Sequence, residues 1–405
     1  MVKEYQLLTQ IMHFIPAYVT QNFIFAIIVP YLPLLIRSHG YRASTVGILL
    51  AIAEGAGILG PFIFGRLADR KGKYKGYIII SYFLTAAAAF PIAYFIHPLL
   101  SAVFIILIGG GYRSAVPLID AVTTINIGEK GNYGKIRVSG SISFVCLLLL
   151  LQWIPAARPN TPVNIALWIC ICSVLAIAVI TPMPSKFMTH KPKGETSPHG
   201  NINNKALWTP FLIVGLISIA LNRMAMAPVY SFFPLFMIEY MNWDMVALMI
   251  AVASIAEIPF MYFSSRLIRR FGVMPILTFT SAMVALRLAL YAIFPFRPVI
   301  ISAQLLHSFC FGLFHPAAVA FITGCVPPEK RSFGMTLYLS LGCGVPQLLG
   351  NFIGGFVVDY AGYRTLFGCF TVFAVLGALI LLIFRNRLNS TLKVPLPCPP
   401  ESHSG

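Results

Sequence analysis

Charge is what this chain has least of. Only 12 of its 405 residues are Asp or Glu, and charged residues of both signs make up 10% of it, against roughly a quarter in a soluble domain. That scarcity, with 58% hydrophobic residues and a mean hydropathy of +0.83, excludes an ordinary water-soluble globule and belongs to a polytopic membrane protein. A G-x-x-x-x-G-K-[ST] phosphate loop is missing, so ATP is not the expected energy source. There is no nucleophile–base pair and no metal set near a span end, so an enzyme is not expected, nor is any cofactor. The eight cysteines include no CxxC pair with partner histidines, and seven of them lie in or at the ends of apolar runs. They read as small buried hydrophobes rather than disulfides or metal ligands. Met1 to Gln10 lacks a signal-peptide layout, and the first apolar run is expected to stay as a helix.

What the chain does have is long apolar runs. A spanning helix needs about 20 mainly apolar residues, and twelve stretches qualify: 11–36, 45–65, 76–96, 98–124, 135–155, 162–183, 207–238, 245–265, 273–294, 299–325, 332–358 and 363–384. Interior prolines such as Pro117, Pro259 and Pro346 do not break this reading, because membrane helices accommodate kinks. The expected organisation is a six-helix half over 1–184, a polar linker over 185–205, a second six-helix half over 206–388 and a disordered tail over 389–405.

The net charge of +17 comes from 29 Lys and Arg. These fall between the apolar runs, which argues for membrane topology rather than a nucleic-acid partner. The densest run is Gly65–Lys75, with five cations and one anion between two spans. With that loop inside, 21 cations lie on the inner side, five outside (Arg37, Arg42, Arg158, Arg297, Arg364) and three within spans (Arg113, Arg223, Arg287). Short Lys/Arg-rich loops stay cytoplasmic. Both termini are therefore expected in the cytoplasm and the protein in the cell membrane, its surroundings the membrane lipids. The two halves also echo one another: Gly65–Gly72 matches Ser265–Gly272 at an offset of 200 residues. Such a repeat puts a solute site near mid-membrane.

Intramembrane carboxylates are costly and mark function by default. Those present are Glu54, Asp120 and Glu257, set against Arg113, Arg223 and Arg287. Asp120 follows Arg113 by seven residues on one helix face, so it is either that arginine's ion-pair partner or a substrate group working with Arg137. Glu257 is either a proton carrier with Arg287 as its alternate partner or one end of a fixed pair. His307 is either a proton relay or a bridge between helices, and His315 reads as structural. Gln21, Asn22, Asn222, Gln304, Gln347 and Asn351 suit donation to a solute as well as they suit interhelical hydrogen bonds.

The Gly65–Lys73 run resembles the loop signature of the major facilitator superfamily, G-x-L-a-D-r-x-G-r, matching at Gly65, Leu67, Asp69, Arg70, Gly72 and Lys73. The resemblance implies an all-α membrane fold of twelve transmembrane helices in two pseudo-symmetric six-helix halves. It also implies a gating role for Gly65, Asp69, Arg70 and Gly72, with Asp69 as an inward-side clamp. In the second copy Ser265 replaces the glycine and Arg269 the aspartate. Around helices four and five, Pro117–Ala121 and Tyr133–Phe144 look like the oligosaccharide–proton symporters and their phenylpropionate-permease-like and nucleoside–proton relatives. That likeness implies substrate binding by Asp120, Arg137 and a stacking Phe144, which stands in place of a tryptophan. Glu257, Arg287 and His307 resemble the group's polar cluster and imply proton coupling. Cys310 sits where the sugar members carry a carboxylate, and helix seven offers Asn222 and Arg223 instead of acids.

The expected function is secondary transport by alternating access of a small organic solute, namely a sugar, a nucleoside or an aromatic carboxylate, by proton symport. Asn22 and Arg223 join Asp120, Arg137 and Phe144 as candidate substrate contacts. The alternative is a proton-coupled efflux antiporter for drugs or metabolites. A monomer is expected.

Overall fold

The computed structural model describes residues 2–127, 133–189, 208–327 and 330–391. The expected linker beyond residue 189 and the expected tail beyond residue 391 lie outside the described residues. Among the described residues there is no strand, only an isolated bridge between Lys73 and Thr189. An all-helical answer is what hydrocarbon imposes, since no water is present there to satisfy a free N–H or C=O.

The first six helices are α1 (Val2–Arg37), α2 (Ala43–Lys71), α3 (Lys75–Tyr94), α4 (Pro98–Ile127), α5 (Tyr133–Trp153) and α6 (Pro162–Ile180). A single helical turn, Ser185–Met188, comes after them. Next are α7 (Pro210–Tyr240), α8 (Val246–Phe271), α9 (Val273–Ile293), α10 (Arg297–Cys325) and one long apolar run, Phe333–Phe384. That run has 52 residues, about 78 Å at helical rise and more than twice a bilayer core. It turns at Gly362, whose φ of 77° and ψ of 177° lie outside the helical region. We call its arms α11 (333–361) and α12 (363–384), which gives the twelve spans expected. The backbone at Gly362 ends one helix and starts the next, so a single non-helical glycine separates two crossings. Large apolar side chains such as Leu59, Phe62, Phe83 and Leu382 stand exposed; in water such a surface would drive aggregation, and against lipid tails it is the expected exterior.

The chain forms two compact units. The first comprises Met1–Gly200, Ala227–Ile255 and Gln347–Leu366. In it α1 packs on α4, α5 and α6, α3 packs on α4 and α6, and α2 packs on α4. Small residues let these backbones approach: a Cβ on Gly109 would lie 2.6 Å from the Ala53 carbonyl. The second unit comprises Asn201–Met226, Ala256–Pro346 and Phe367–Gly405. Its core joins Leu216, Ile219, Met274, Leu277, Phe314 and Phe321. The repeat seen in the sequence has a counterpart in side-chain chemistry. Tyr82 on α3 donates to Gln21 on α1, 61 residues away. Asn222 on α7 donates to Ser281 on α9, 59 residues away. First and third helices of each half are tied by a buried amide at nearly the same spacing.

A π-helical turn interrupts α10 at Ser308–Leu313, immediately after His307, and another interrupts α11 at Tyr338–Gly344. Such turns carry one extra residue and re-aim the side chains beside them.

The α11–α12 turn yields a prediction. Nothing lies within 4 Å of a Cβ placed on Gly362, so its substitution is opposed by backbone conformation alone. Gly362→Ala should cost about 1–3 kcal/mol and lower the thermal unfolding midpoint of detergent-purified protein. An unchanged midpoint would mean that the turn relaxes freely.

Candidate functional site

Polar side chains inside the helices gather in a few places within each unit. In the first unit, Glu54 of α2 meets Arg113 of α4. The guanidinium forks onto the carboxylate with both N···O distances at 2.5 Å. Gly57 makes room for it, because a Cβ there would collide with the Arg113 side chain. Arg113 Nε also donates to the Tyr112 hydroxyl at 2.8 Å. A bidentate pair of this kind is the strongest arrangement available to the two groups, and Arg never gives up its proton. Arg113 is therefore a fixed ion-pair partner of Glu54. The Arg113–Asp120 pair, one of two readings open from helical spacing, is displaced by a neighbour on another helix.

Asp120 instead accepts a hydrogen bond from Tyr18 of α1 at 2.6 Å. Asn22, one turn along α1, donates to the Tyr18 carbonyl at 2.9 Å. Gly140 of α5 packs on that amide, since a Cβ there would overlap Asn22 Nδ2. Ser143 of α5 donates to the Val19 carbonyl at 3.3 Å. The candidate substrate residues Asn22 and Asp120 thus sit at one junction of α1, α4 and α5. Arg137 and Phe144 stand on α5, the first exposed and the second half-buried. Tyr18 is not among the sequence candidates because a tyrosine in an apolar helix looks like any other core aromatic. Its position one turn before Asn22 is the signal that could have found it.

In the second unit, Arg287 of α9 is 1% exposed. It donates to the Tyr291 hydroxyl at 3.0 Å and to Gln304 Oε1 at 2.6 Å, and lies 2.8 Å from His307 Nδ1. The other ring nitrogen of His307, Nε2, is 3.5 Å from the Glu257 carboxylate of α8. The three residues expected to form a polar cluster are together, with His307 between the carboxylate and the guanidinium. A close approach of α10 to α8 holds them: a Cβ on Gly312 would come within 2.9 Å of the Glu257 carbonyl. Phe311 lies parallel to His307 on one side, 5.9 Å between centroids, and to His315 on the other, at 5.7 Å. Arg223 lies over the Phe311 ring. His315 Nδ1 meets the Tyr338 hydroxyl at 2.7 Å, a contact in keeping with a structural histidine.

The two halves present the same frame with different contents. Each sets an acid of its second helix against a base of its fourth, Glu54 with Arg113 and Glu257 with His307. One base is a permanently charged guanidinium and the other an imidazole.

The candidate gating residues lie at the C-terminal end of α2. Gly72 closes the helix with φ 60°, and the Lys73 amide returns to the Ala68 carbonyl at 3.2 Å, the left-handed cap that glycine favours. Asp69 accepts from the Tyr74 hydroxyl at 2.7 Å; burial and this carboxylate push the Tyr74 phenol up to about 12. Asp69 and Arg70 are exposed and Gly65 is half-buried. The loop is pinned to residues 183–189 by Tyr74 N–H to Met188 O at 3.0 Å and Lys75 Nζ to Met183 O at 3.0 Å.

Twelve membrane crossings with two repeated helix sets and charged groups inside both are the plan of a membrane transporter of the major facilitator fold. The model of the MFS_1 like family matches residues 18–386, and the chain belongs to that family. It is similar to the uncharacterized transporter YwbF of Bacillus subtilis, 25% identical over 91% of this chain and 92% of the relative. It is also similar to the maltose permease of Geobacillus stearothermophilus, 23% identical over 90% and 92%. The probable 3-phenylpropionic acid transporter of Escherichia coli is 22% identical over 89% and 93%. Among solved structures, a variant of the nucleoside transporter NupG superposes with a TM-score of 0.81 at 16% identity, covering 92% of this chain and 99% of that one. A bacterial homologue of the lysosomal transporter Spinster gives 0.73 at 13% identity, over 97% and 99%. These are all transporters, and the chain is a transporter rather than an enzyme.

The Glu54–Arg113 pair yields the second prediction. Arg113→Met leaves Glu54 without its counter-charge in a part-buried site and should cost about 1–3 kcal/mol, read as a lowered thermal midpoint in detergent. The double variant Glu54→Gln/Arg113→Met should regain most of that loss. Additive losses would mean that the two groups are not coupled.

Proposed function

We propose that this protein imports a small organic solute together with protons, by alternating access, across the cytoplasmic membrane, with both termini in the cytoplasm. The observation that carries the coupling is the contrast between the two acid–base frames. In the first half Glu54 is clamped in a bidentate pair by an arginine whose charge is permanent. In the second half Glu257 faces an imidazole, 3.5 Å away. A carboxylate in a dry site holds its proton more readily than in water, and a histidine beside it both accepts and passes one. The permanent charge of Arg287 on the far side of His307 favours the ionised carboxylate whenever the proton leaves. Proton transfer between Glu257 and the aqueous phase then changes the charge of a cluster joining α8, α9 and α10, the kind of change that biases a two-state element.

The solute is proposed to be a sugar, a nucleoside or an aromatic carboxylate. Supporting this is the junction at Asp120, where Tyr18 and Asn22 add hydroxyl and amide groups to a carboxylate, a set suited to hydroxyl-bearing ligands. Arg137 and Phe144 supply a cation and a ring on α5, and Arg223 a second cation on α7. The names of the relatives, a maltose permease, a phenylpropionic acid transporter and a nucleoside transporter, span the same three classes. Asp69, Arg70, Gly65 and Gly72 are assigned to gating at the cytoplasmic end of α2, with the Asp69–Tyr74 bond one of the contacts exchanged during the cycle.

Proteoliposome transport tests the proposal. Counterflow screening over sugars, nucleosides and phenyl carboxylates should find a substrate, and its addition should alkalinise the outside. Asp120→Asn should reduce counterflow by about tenfold or more, the loss of one charge-assisted hydrogen bond. Glu257→Gln should abolish the alkalinisation while leaving counterflow measurable. An undiminished proton signal in Glu257→Gln rules that residue out as the carrier, and stabilisation by lipophilic cations alone would favour efflux.

A further inference from the structure

At the end of the first unit opposite the Gly65 loop, four contacts join helices of the first half to helices of the second. Arg37 at the end of α1 forks onto Glu239 of α7, Nε to Oε1 at 2.6 Å and Nη2 to Oε2 at 3.3 Å. Tyr363 donates to the same carboxylate at 2.7 Å. Asp359 of α11 accepts from the Ala43 and Ser44 amides, both at 2.8 Å, and so caps the N-terminus of α2; a carboxylate there satisfies free N–H groups and meets the positive end of the helix dipole. Just beyond, α2 and α11 touch backbone to backbone, since a Cβ on Gly47 would come within 2.9 Å of the Gly355 Cα. Finally, Gln152 of α5 donates to the Asp244 carbonyl at 3.2 Å and accepts from the Leu248 amide at 3.4 Å.

Two of these contacts hang on one short turn, residues 38–42. Arg37 also donates to the Tyr41 carbonyl, and the amides that Asp359 caps begin one residue past that turn. Inside it lies His39. Both of its ring nitrogens are buried and neither makes a well-formed hydrogen bond, the nearest acceptor being the Ile92 backbone of α3. Its ring stands edge-on to Tyr41 at 5.4 Å between centroids. Charging an imidazole gives it two N–H donors that need acceptors; the Ile92 backbone can serve at most one of them, and the turn must open for water to serve the other.

We propose that His39 makes this latch pH-sensitive, so that protonation of the imidazole opens the 38–42 turn and releases Arg37 and the N-terminus of α2 from Glu239 and Asp359. Burial holds the His39 pKa below its ordinary value. The neutral ring therefore belongs to the closed turn. Its contribution is complete above the unperturbed value of about 6.5 and is lost as the pH falls below it. The groups that face the turn are Tyr41 and Arg42 on it, Ser101 of α4 through the Tyr41 hydroxyl, the Ile92 backbone of α3, and Arg37 with its partners Glu239, Asp359 and Tyr363. His39 is the one imidazole among them, the side-chain type whose ordinary value lies between pH 7.5 and 5.5. The side of the membrane that the latch faces rests on the proposed orientation of the chain; with both termini in the cytoplasm it faces outward, and external acid would favour its release.

Hydrogen–deuterium exchange on the full chain in nanodiscs tests the inference without a substrate and without reference to sidedness. After correction for intrinsic rates, exchange at Ala43–Gly47 should rise at least about fivefold from pH 7.5 to 5.5, which needs a His39 pKa difference of about one unit between closed and open turns. In His39→Phe, which keeps a ring but never charges, and in His39→Gln, the rise should fall below about twofold, with wild-type protection retained at pH 7.5. The inference is overturned by a flat wild-type response, by an equal rise in both variants, or by protection already lost in both at pH 7.5. Glu257-dependent proton movement is read in a separate assay, so either proposal can fail alone.

Discussion

A charge placed in hydrocarbon must bring its counter-charge or its hydrogen bonds with it, because the surroundings offer none. Even on the mildest scale an ionised side chain at mid-membrane costs about 2.5–3.5 kcal/mol. That cost explains why the charged groups of this protein occur as assemblies rather than singly. Arg113 has Glu54 and the Tyr112 hydroxyl, and Arg287 has Tyr291, Gln304 and His307. Each assembly also fixes helix against helix, since its members come from two or three different spans. Groups that hold the bundle together and groups able to bind or carry a proton are drawn from one small stock, and the difference between them lies in which partner can change its charge.

Helix α2 shows how this constraint acts along a single span. Its N-terminal amides are capped by Asp359 from α11, its middle carries Glu54 against Arg113, and its C-terminus closes on Gly72 beside the Asp69–Tyr74 bond. Between these levels Gly47, Gly57 and Gly60 keep the helix close to its neighbours. The ties at the two ends differ from the tie in the middle. An end tie exchanges with water when it breaks, so breaking it costs little, as expected of contacts that form and part in a transport cycle. The Glu54–Arg113 tie is bidentate and its carboxylate is the less exposed partner, which suits a part that moves as one body.

Much of the fold was legible in the sequence, because membrane spans are long and their hydropathy is averaged over some twenty residues. The Gly65–Lys73 signature pointed to the superfamily that the family match then showed. Even the tightest boundary was visible: the sequence separates spans 332–358 and 363–384, and the chain turns between them at the non-helical Gly362. The site was legible by residue type only. Asp120, Glu257, Arg287 and His307 stood out as polar groups in apolar runs, but their partners did not. Spacing along α4 offered Asp120 as a mate for Arg113, whereas the mate is Glu54, 59 residues away. The latch was less legible still, since Arg37 meets Glu239 across 202 residues and Asp359 meets Ala43 across 316. Each of these lies near a span end, where a charged residue needs no explanation, and only the packing of the spans makes them neighbours.

The internal repeat sharpens what divergence between the halves means. The amide ties Gln21–Tyr82 and Asn222–Ser281 show that helices one and three of each half kept the same means of attachment. The acid–base frames kept their position, second helix to fourth, but changed the base from arginine to histidine. In the loops, the first copy has Asp69 where the second has Arg269, and only the first offers an acid for Tyr74 to bond. Attachment is shared between the halves while charge is not. A duplicated scaffold in which both frames held arginine would be doubly locked, and one in which both held histidine would lose the fixed pair that keeps a half rigid. One of each gives a half with a permanently charged base and a half with an imidazole in the same position, and that difference is what the proposed proton coupling rests on.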